Sequence, residues 1–206
     1  MKRVLMLLAN GVEPLEMAAF TDVLGWATIL GNEPVQLVDV GMRPIIKTTF
    51  GLQLKPNNLD DIDLGTFDAL AIPGGFEPSG FYDEALDERF LSIIQYFFET
   101  KKIVASVCVA SIALGTAGIL KNRRATTYHQ VEGKRKQQLI DTGAIFIDKP
   151  IVVDKTIITS TGPGTALEVA FELLKQLTDK NNVDEVRLKM RMPMPSTEWY
   201  QAAQVG

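Results

Sequence analysis

Lys102-Ile103-Val104-Ala105-Ser106-Val107-Cys108-Val109-Ala110-Ser111-Ile112-Ala113-Leu114-Gly115 holds the one cysteine of the chain at a change of pattern. Up to Val107 the run is short, apolar and β-rich. After Cys108 come small residues suited to a tight turn and a helix start. A strand that passes directly into a helix is the building unit of a parallel sheet, because parallel neighbours need a crossover connection. The same passage recurs along the chain, so the expected fold class is α/β: a single doubly wound domain, mostly parallel sheet with helices on both faces.

Working outward, candidate strands lie at 3–8, 34–40, 67–72, 102–107 and 156–160, several of them apolar on both faces as buried parallel strands are. Candidate helices lie at 14–30, 85–100, 109–117, 131–142 and 164–178. The first opens on Pro14 and stops before Gly31, the usual asymmetry of helix ends. Segment 42–55 alternates and contains Gly51, which reads as a small β excursion, and 144–153 reads similarly with Pro150 as a break. A polar hinge follows Asp179, then a short helix at 183–190 and a tail with Met190, Met192, Pro193, Met194 and Pro195. The expected organisation is one domain over 1–180 and a C-terminal extension over 181–206.

Composition narrows the function classes. At 206 residues the chain suits one full-sized domain, and 46% hydrophobic with 22% charged residues is ordinary for a globular protein. A formal charge of -4 argues against a nucleic-acid partner, which requires a basic surface. The basic residues Lys121, Arg123, Arg124, Lys134, Arg135 and Lys136 lack interleaved aromatics and read as a solvated face. No run approaches the ~20 apolar residues of a membrane span, and the opening Met1–Ala9 lacks a cleavage site, so no membrane partner and a cytoplasmic location are expected. One cysteine excludes an intramolecular disulfide and one histidine excludes a multi-His metal site.

Ligands of open α/β sheets bind where strands end and helices begin. Cys108 occupies such a turn with the pattern of a nucleophile elbow, where free N–H groups of the new helix would favour a thiolate. The alternative is a buried, inert cysteine. Ile72-Pro73-Gly74-Gly75 follows another strand, and its two glycines would let backbone amides approach a ligand as an oxyanion hole, or simply make a tight turn. Glu16 shares a helical stripe with Ala19, Phe20, Val23 and Leu24, all apolar, so its carboxyl should hold a proton or find a partner. Glu13 is explained by the helix dipole alone. His129, in Thr126-Thr127-Tyr128-His129, is the one possible imidazole base.

Glu16 in an early helix, Ile-Pro-Gly-Gly at 72–75, Cys108 at the elbow and Ser-Thr-Gly-Pro-Gly-Thr at 160–165 resemble, in this order, the ThiJ/PfpI superfamily, also called the DJ-one family. The resemblance runs from about residue 3 to 178. It implies a flavodoxin-like fold, a homodimer, Cys108 as nucleophile or oxidation-sensitive thiol, Glu16 as its protonated partner, and Gly74 and Gly75 as backbone donors. Val109 stands where the protease-like branch places His, so no Cys-His pair and no peptidase activity are expected. Other branches carry Thr-Thr-His, whereas Tyr128 here precedes His129. The stretch Gly118–Leu120 with Arg124–Thr127 is also similar to isocyanide hydratases and to sensor domains of some regulators, although no helix-turn-helix segment is expected here.

The function this implies is a cysteine-dependent enzyme acting on small reactive carbonyls, in the manner of a glutathione-independent glyoxalase or deglycase, with no metal or organic cofactor. Two alternatives use the same thiol: an oxidation-sensing, stress-protective protein that forms a Cys108 sulfinate, and hydration of an isocyanide.

Overall fold

β1 (Lys2–Leu8) buries Val4, Leu5, Met6, Leu7 and Leu8 in succession. Successive strand residues point to opposite faces, so both faces of the sheet are covered at this strand. The computed structural model describes residues 1–194 and 200–201. In chain order the elements after β1 are α1 (Pro14–Leu30), β2 (Val35–Gly41), β3 (Ile46–Lys47), β4 (Gln53–Leu54), β5 (Asn57–Asn58) and β6 (Ala69–Ile72). Then come α2 (Phe81–Ala85), α3 (Glu88–Glu99), β7 (Ile103–Ser106), α4 (Ala110–Thr116), β8 (Arg124–Ala125) and α5 (Arg135–Asp141). The chain closes with β9 (Ile145–Phe146), β10 (Ile151–Asp154), β11 (Ile157–Ser160), α6 (Ala166–Leu177), α7 (Lys180–Met190) and β12 (Tyr200–Gln201).

The main sheet has the order β12-β10-β11-β7-β6-β1-β2-β5. It is parallel from β11 through β5, while β10 pairs antiparallel with β11 and β12 lies parallel to β10. This is the mostly parallel α/β architecture expected from the sequence. The helices form two packed groups, α1 with α6 and α7, and α3 with α2 and α4. The apolar stripe of α1, Ala19, Phe20, Val23, Leu24 and Ala27, is wholly buried.

Several boundaries differ from the expectation, each for a local reason. The helix expected at 85–100 starts only at Glu88, because the Asp87 side chain accepts the Arg89 N–H at 2.9 Å and caps it there, and Phe81–Ala85 forms a separate short helix before it. The helix expected at 131–142 is confined to Arg135–Asp141, since Gly133 closes a turn on the Gln130 carbonyl just before it. Segment 42–55 is indeed a small antiparallel β3–β4 hairpin. Segment 144–153 is not a second such excursion: β9 pairs with β8, whereas β10 joins the main sheet. The helix expected at 183–190 begins at Lys180, capped by Asp179, whose carboxylate accepts the Asn182 N–H at 2.8 Å. It packs on α1 and α6 through buried Val183 and Val186. Of the expected 181–206 extension, positions 195–199 and 202–206, Pro195 among them, lie outside the described residues. None of the described helices is long and apolar enough to cross a membrane.

Candidate active site

Three strand-to-helix turns meet at the carboxyl ends of β1, β6 and β7, and they meet backbone to backbone. The Phe76 N–H donates to the Gly11 carbonyl at 3.1 Å, and the Glu13 N–H donates to the Gly74 carbonyl at 2.8 Å. This approach explains the two glycines. A Cβ at Gly75 would lie 2.3 Å from the Gly11 oxygen, and one at Gly74 would lie 3.0 Å from both Cys108 Cβ and Glu16 Oε2. Gly74 is thus the point where Glu16 and Cys108 come together.

Cys108 takes a left-handed backbone with φ of 59°, an uncommon conformation for a residue with a side chain. The strain is held by its surroundings. The Cys108 N–H donates to the Ser160 carbonyl at 3.1 Å, and its own carbonyl accepts from Ser111 Oγ at 3.1 Å and Thr127 Oγ1 at 3.2 Å. The elbow therefore sits at the strand–helix turn expected of it, 6% exposed. Ser111, Thr127 and Ser160 are positioning residues that sequence reasoning did not single out. Thr127 and Ser160 lay within quoted motifs, but their target, a backbone carbonyl or amide, leaves no trace in spacing.

Glu16 is wholly buried in the first turn of α1, where the Glu13 side chain caps the helix by accepting the Glu16 N–H at 2.8 Å. Glu16 Oε2 accepts the Gly74 N–H at 2.6 Å. Oε1 has no nitrogen or oxygen partner among the described residues, and the Cys108 thiol is the side chain within hydrogen-bonding reach of the carboxyl. Burial pushes this carboxyl up from 4.5 to about 8, against the opposing pull of the Gly74 N–H and the thiol. Glu16 consequently keeps its proton at neutral pH. Because Oε2 accepts a hydrogen bond, the proton belongs on Oε1, where sulfur can receive it.

Two features of the site weigh on the expected roles. Burial also pushes the Cys108 thiol far above its ordinary value, and an ionised Glu16 would push it further, whereas the Val109 N–H pulls the other way. Desolvation at this depth thus opposes the thiolate that the helix start at α4 would favour. Second, the Gly74 N–H is taken up by Glu16. Gly75 remains as the backbone donor of this turn, since none of the described hydrogen bonds uses its N–H.

His129 is held elsewhere. Its Nδ1 donates to the Thr127 carbonyl at 2.9 Å, its Nε2 lies 3.2 Å from Asp148 Oδ1, and its ring meets Phe146 edge-on. Both nitrogens are engaged, and neither contacts Cys108 or Glu16. Among the described residues no group of three or more His, Cys, Asp or Glu is arranged to hold a metal ion. A groove of about 510 Å³ lies along α1 and the β1–β2 edge, lined by Met17, Leu37 and Leu54, and does not include Cys108.

A doubly wound α/β domain with a strained cysteine elbow and a buried acid beside it defines a class of single-cysteine α/β proteins. The chain belongs to the DJ-1/PfpI family, whose model matches residues 2–176. It is 30% identical over 203 residues to Protein DJ-1 homolog A of Arabidopsis thaliana, covering 96% of this chain and 49% of that protein. The chain thus spans about half the length of that relative. It is 26% identical over 208 residues to the glutathione-independent glyoxalase DJ-1 of Schizosaccharomyces pombe, covering 94% of this chain and 100% of that protein. The crystal structure of Drosophila melanogaster DJ-1beta is similar with a TM-score of 0.81 and 26% identity, over 94% of this chain and 99% of that one. Further relatives bear the names deglycase (Pyrococcus furiosus) and isonitrile hydratase (Pseudomonas putida).

Proposed function

We propose that the chain is a cofactor-independent enzyme that converts small 2-oxoaldehydes to 2-hydroxy acids, with Cys108 as nucleophile and Glu16 as proton carrier. The observation that carries this reading is the buried Glu16 carboxyl beside the elbow thiol, one oxygen fixed by the Gly74 N–H and the other without a nitrogen or oxygen partner among the described residues. An acid held against a nucleophile can serve both the oxygen and the carbons of a bound carbonyl.

With methylglyoxal the atoms balance as follows. Sulfur bonds to the aldehyde carbon as Glu16 gives its proton to the aldehyde oxygen and the thiol proton leaves to water. The resulting Glu16 carboxylate takes the hydrogen from that carbon, and the electron pair moves onto the ketone oxygen, which the Gly75 N–H would stabilise. Glu16 returns the proton to the ketone carbon while the hemithioacetal hydroxyl proton passes to the neighbouring oxygen, giving a lactyl thioester. Glu16 then takes a proton from water, hydroxide adds to the thioester carbon, the C–S bond breaks and the new acid reprotonates sulfur. One carbon is oxidised and its neighbour reduced, so no external oxidant or cofactor enters.

Purified protein incubated with methylglyoxal should release lactate, and the Cys108→Ala variant should release none above the uncatalysed level. Equal lactate from both would reject the reading. The P. putida relative's name supports a second reading, addition of water to an isocyanide; formamide product from an alkyl isocyanide, with no lactate from methylglyoxal, would select it. Oxidation sensing uses the same thiol; a Cys108 sulfinate in intact-mass measurement after mild peroxide, with no lactate from methylglyoxal, would select it. We also propose a homodimer, for which light scattering should give about twice the 22.7 kDa of one chain.

A further inference from the structure

Glu13 is a buried acid in the turn that enters the candidate site, and the chemistry above does not use it. The residue is 6% exposed. An acid in solvent would satisfy the helix dipole equally well, whereas burying a carboxyl carries a desolvation cost that its contacts must offset. Glu is also an uncommon choice at a helix N-cap, the place it holds on α1, where Ser, Thr, Asp and Asn are preferred.

Three hydrogen bonds close a ring through this residue. The Glu13 N–H donates to the Gly74 carbonyl at 2.8 Å, and the Gly74 N–H donates to Glu16 Oε2 at 2.6 Å. The Glu16 N–H then donates to Glu13 Oε2 at 2.8 Å. Each of the three residues is fixed by the other two. The ring also decides where the Glu16 carboxyl can go. Glu16 is the third residue of α1, and a glutamate at that position can turn back to the N–H of the cap residue. Here that N–H is taken by Gly74. The local alternative is closed, and the carboxyl is directed away from its own helix, to the Gly74 amide and the thiol. A proton carrier must stay within hydrogen-bond reach of the atoms it serves, so this constraint bears on the chemistry as well as on the fold.

We propose that Glu13 is a positioning residue of the Cys108 site: its side chain, by holding the Glu16 N–H, keeps the Glu16 carboxyl on the Gly74 amide and beside the thiol. The role is exerted through Glu16, and its consequence for turnover rests on the carbonyl reading above. It is a hydrogen-bonding role, so an amide in place of the carboxyl preserves it.

Three variants separate this role from charge and from stability. Glu13→Gln keeps an acceptor oxygen, Glu13→Ala removes it, and Glu13→Gly removes it with less loss of cap stability than alanine. Two readouts are taken on each protein: kcat and KM for lactate formation from methylglyoxal, and the Gly74 amide proton in nuclear magnetic resonance. That proton's downfield shift and slow exchange report its bond to Glu16. In Glu13→Ala and Glu13→Gly, kcat should fall about tenfold, the loss expected for one hydrogen bond, with KM unchanged. The Gly74 amide of both should move upfield and exchange about tenfold faster, while Glu13→Gln stays within about twofold of wild type in every reading. A glutamine variant as impaired as the alanine one would assign the effect to charge and overturn the proposal, as would an unmoved Gly74 amide in Glu13→Gly. Loss of folding in Glu13→Gly would also overturn it, by placing the side chain in stability rather than positioning. No lactate from the wild type, with the Gly74 amide displaced in Glu13→Gly and kept in Glu13→Gln, rejects the enzymatic reading alone. Lactate at the wild-type rate from Glu13→Gly rejects this inference alone.

Discussion

Replacing Glu16 by glutamine keeps the size of the side chain and an oxygen for the Gly74 N–H, but removes the titrating proton. In the unfolded chain the Glu16 carboxyl titrates near 4.5, and in the folded protein near 8. Between those values the folded state binds the extra proton, so stability falls as pH rises through this window. The contribution is complete below about 4.5 and is lost as pH passes 8. A span of about 3.5 pH units at about 1.36 kcal/mol each amounts to a change on the order of 5 kcal/mol. Glu16 is wholly buried, so solvent does not screen this change. Urea unfolding of both proteins at intervals from pH 5 to pH 8 reads it out. The wild type should lose several kcal/mol relative to Glu16→Gln across that range. Parallel stability curves would show that the carboxyl titrates normally in the folded state and would refute the reasoning.

Gly75→Ala would put a methyl group 2.3 Å from the Gly11 oxygen and 2.5 Å from Phe81 Cδ2. Overpacking of backbone against backbone should cost about 2 kcal/mol or more in chemical denaturation, and an unchanged midpoint would mean the turns can separate freely. His129→Gln should change lactate formation by less than about fivefold, the worth of one ordinary hydrogen bond, because its ring is committed to Thr127 and Asp148. A loss of a thousandfold, measured in the same assay, would restore the imidazole to the chemistry.

The sheet was readable because its strands are short apolar runs that end in glycine, proline or small residues, and β1, β6 and β7 each fall inside the expected segment or within a residue of it. The apolar stripe beneath Glu16 correctly placed a carboxyl in the core. Less readable was everything that depends on distant backbone. Nothing in Gly74-Gly75 distinguishes an amide held by Glu16 from one that is free, and only the approach of Glu16 to the turn after β6 decides it. The same holds for the depth at which Cys108 is buried, which opposes a thiolate, since a helix start can be inferred from local sequence while burial cannot.

Infrared difference spectroscopy between the wild type and the Glu16→Gln and Cys108→Ala variants observes both protons of the pair. At pH 7 the wild type should show the carbonyl stretch of a protonated carboxylic acid, absent in Glu16→Gln, together with an S–H stretch absent in Cys108→Ala. The acid band should fade as pH passes about 8. A carboxylate band at pH 7 in place of the acid band would contradict the account at its root.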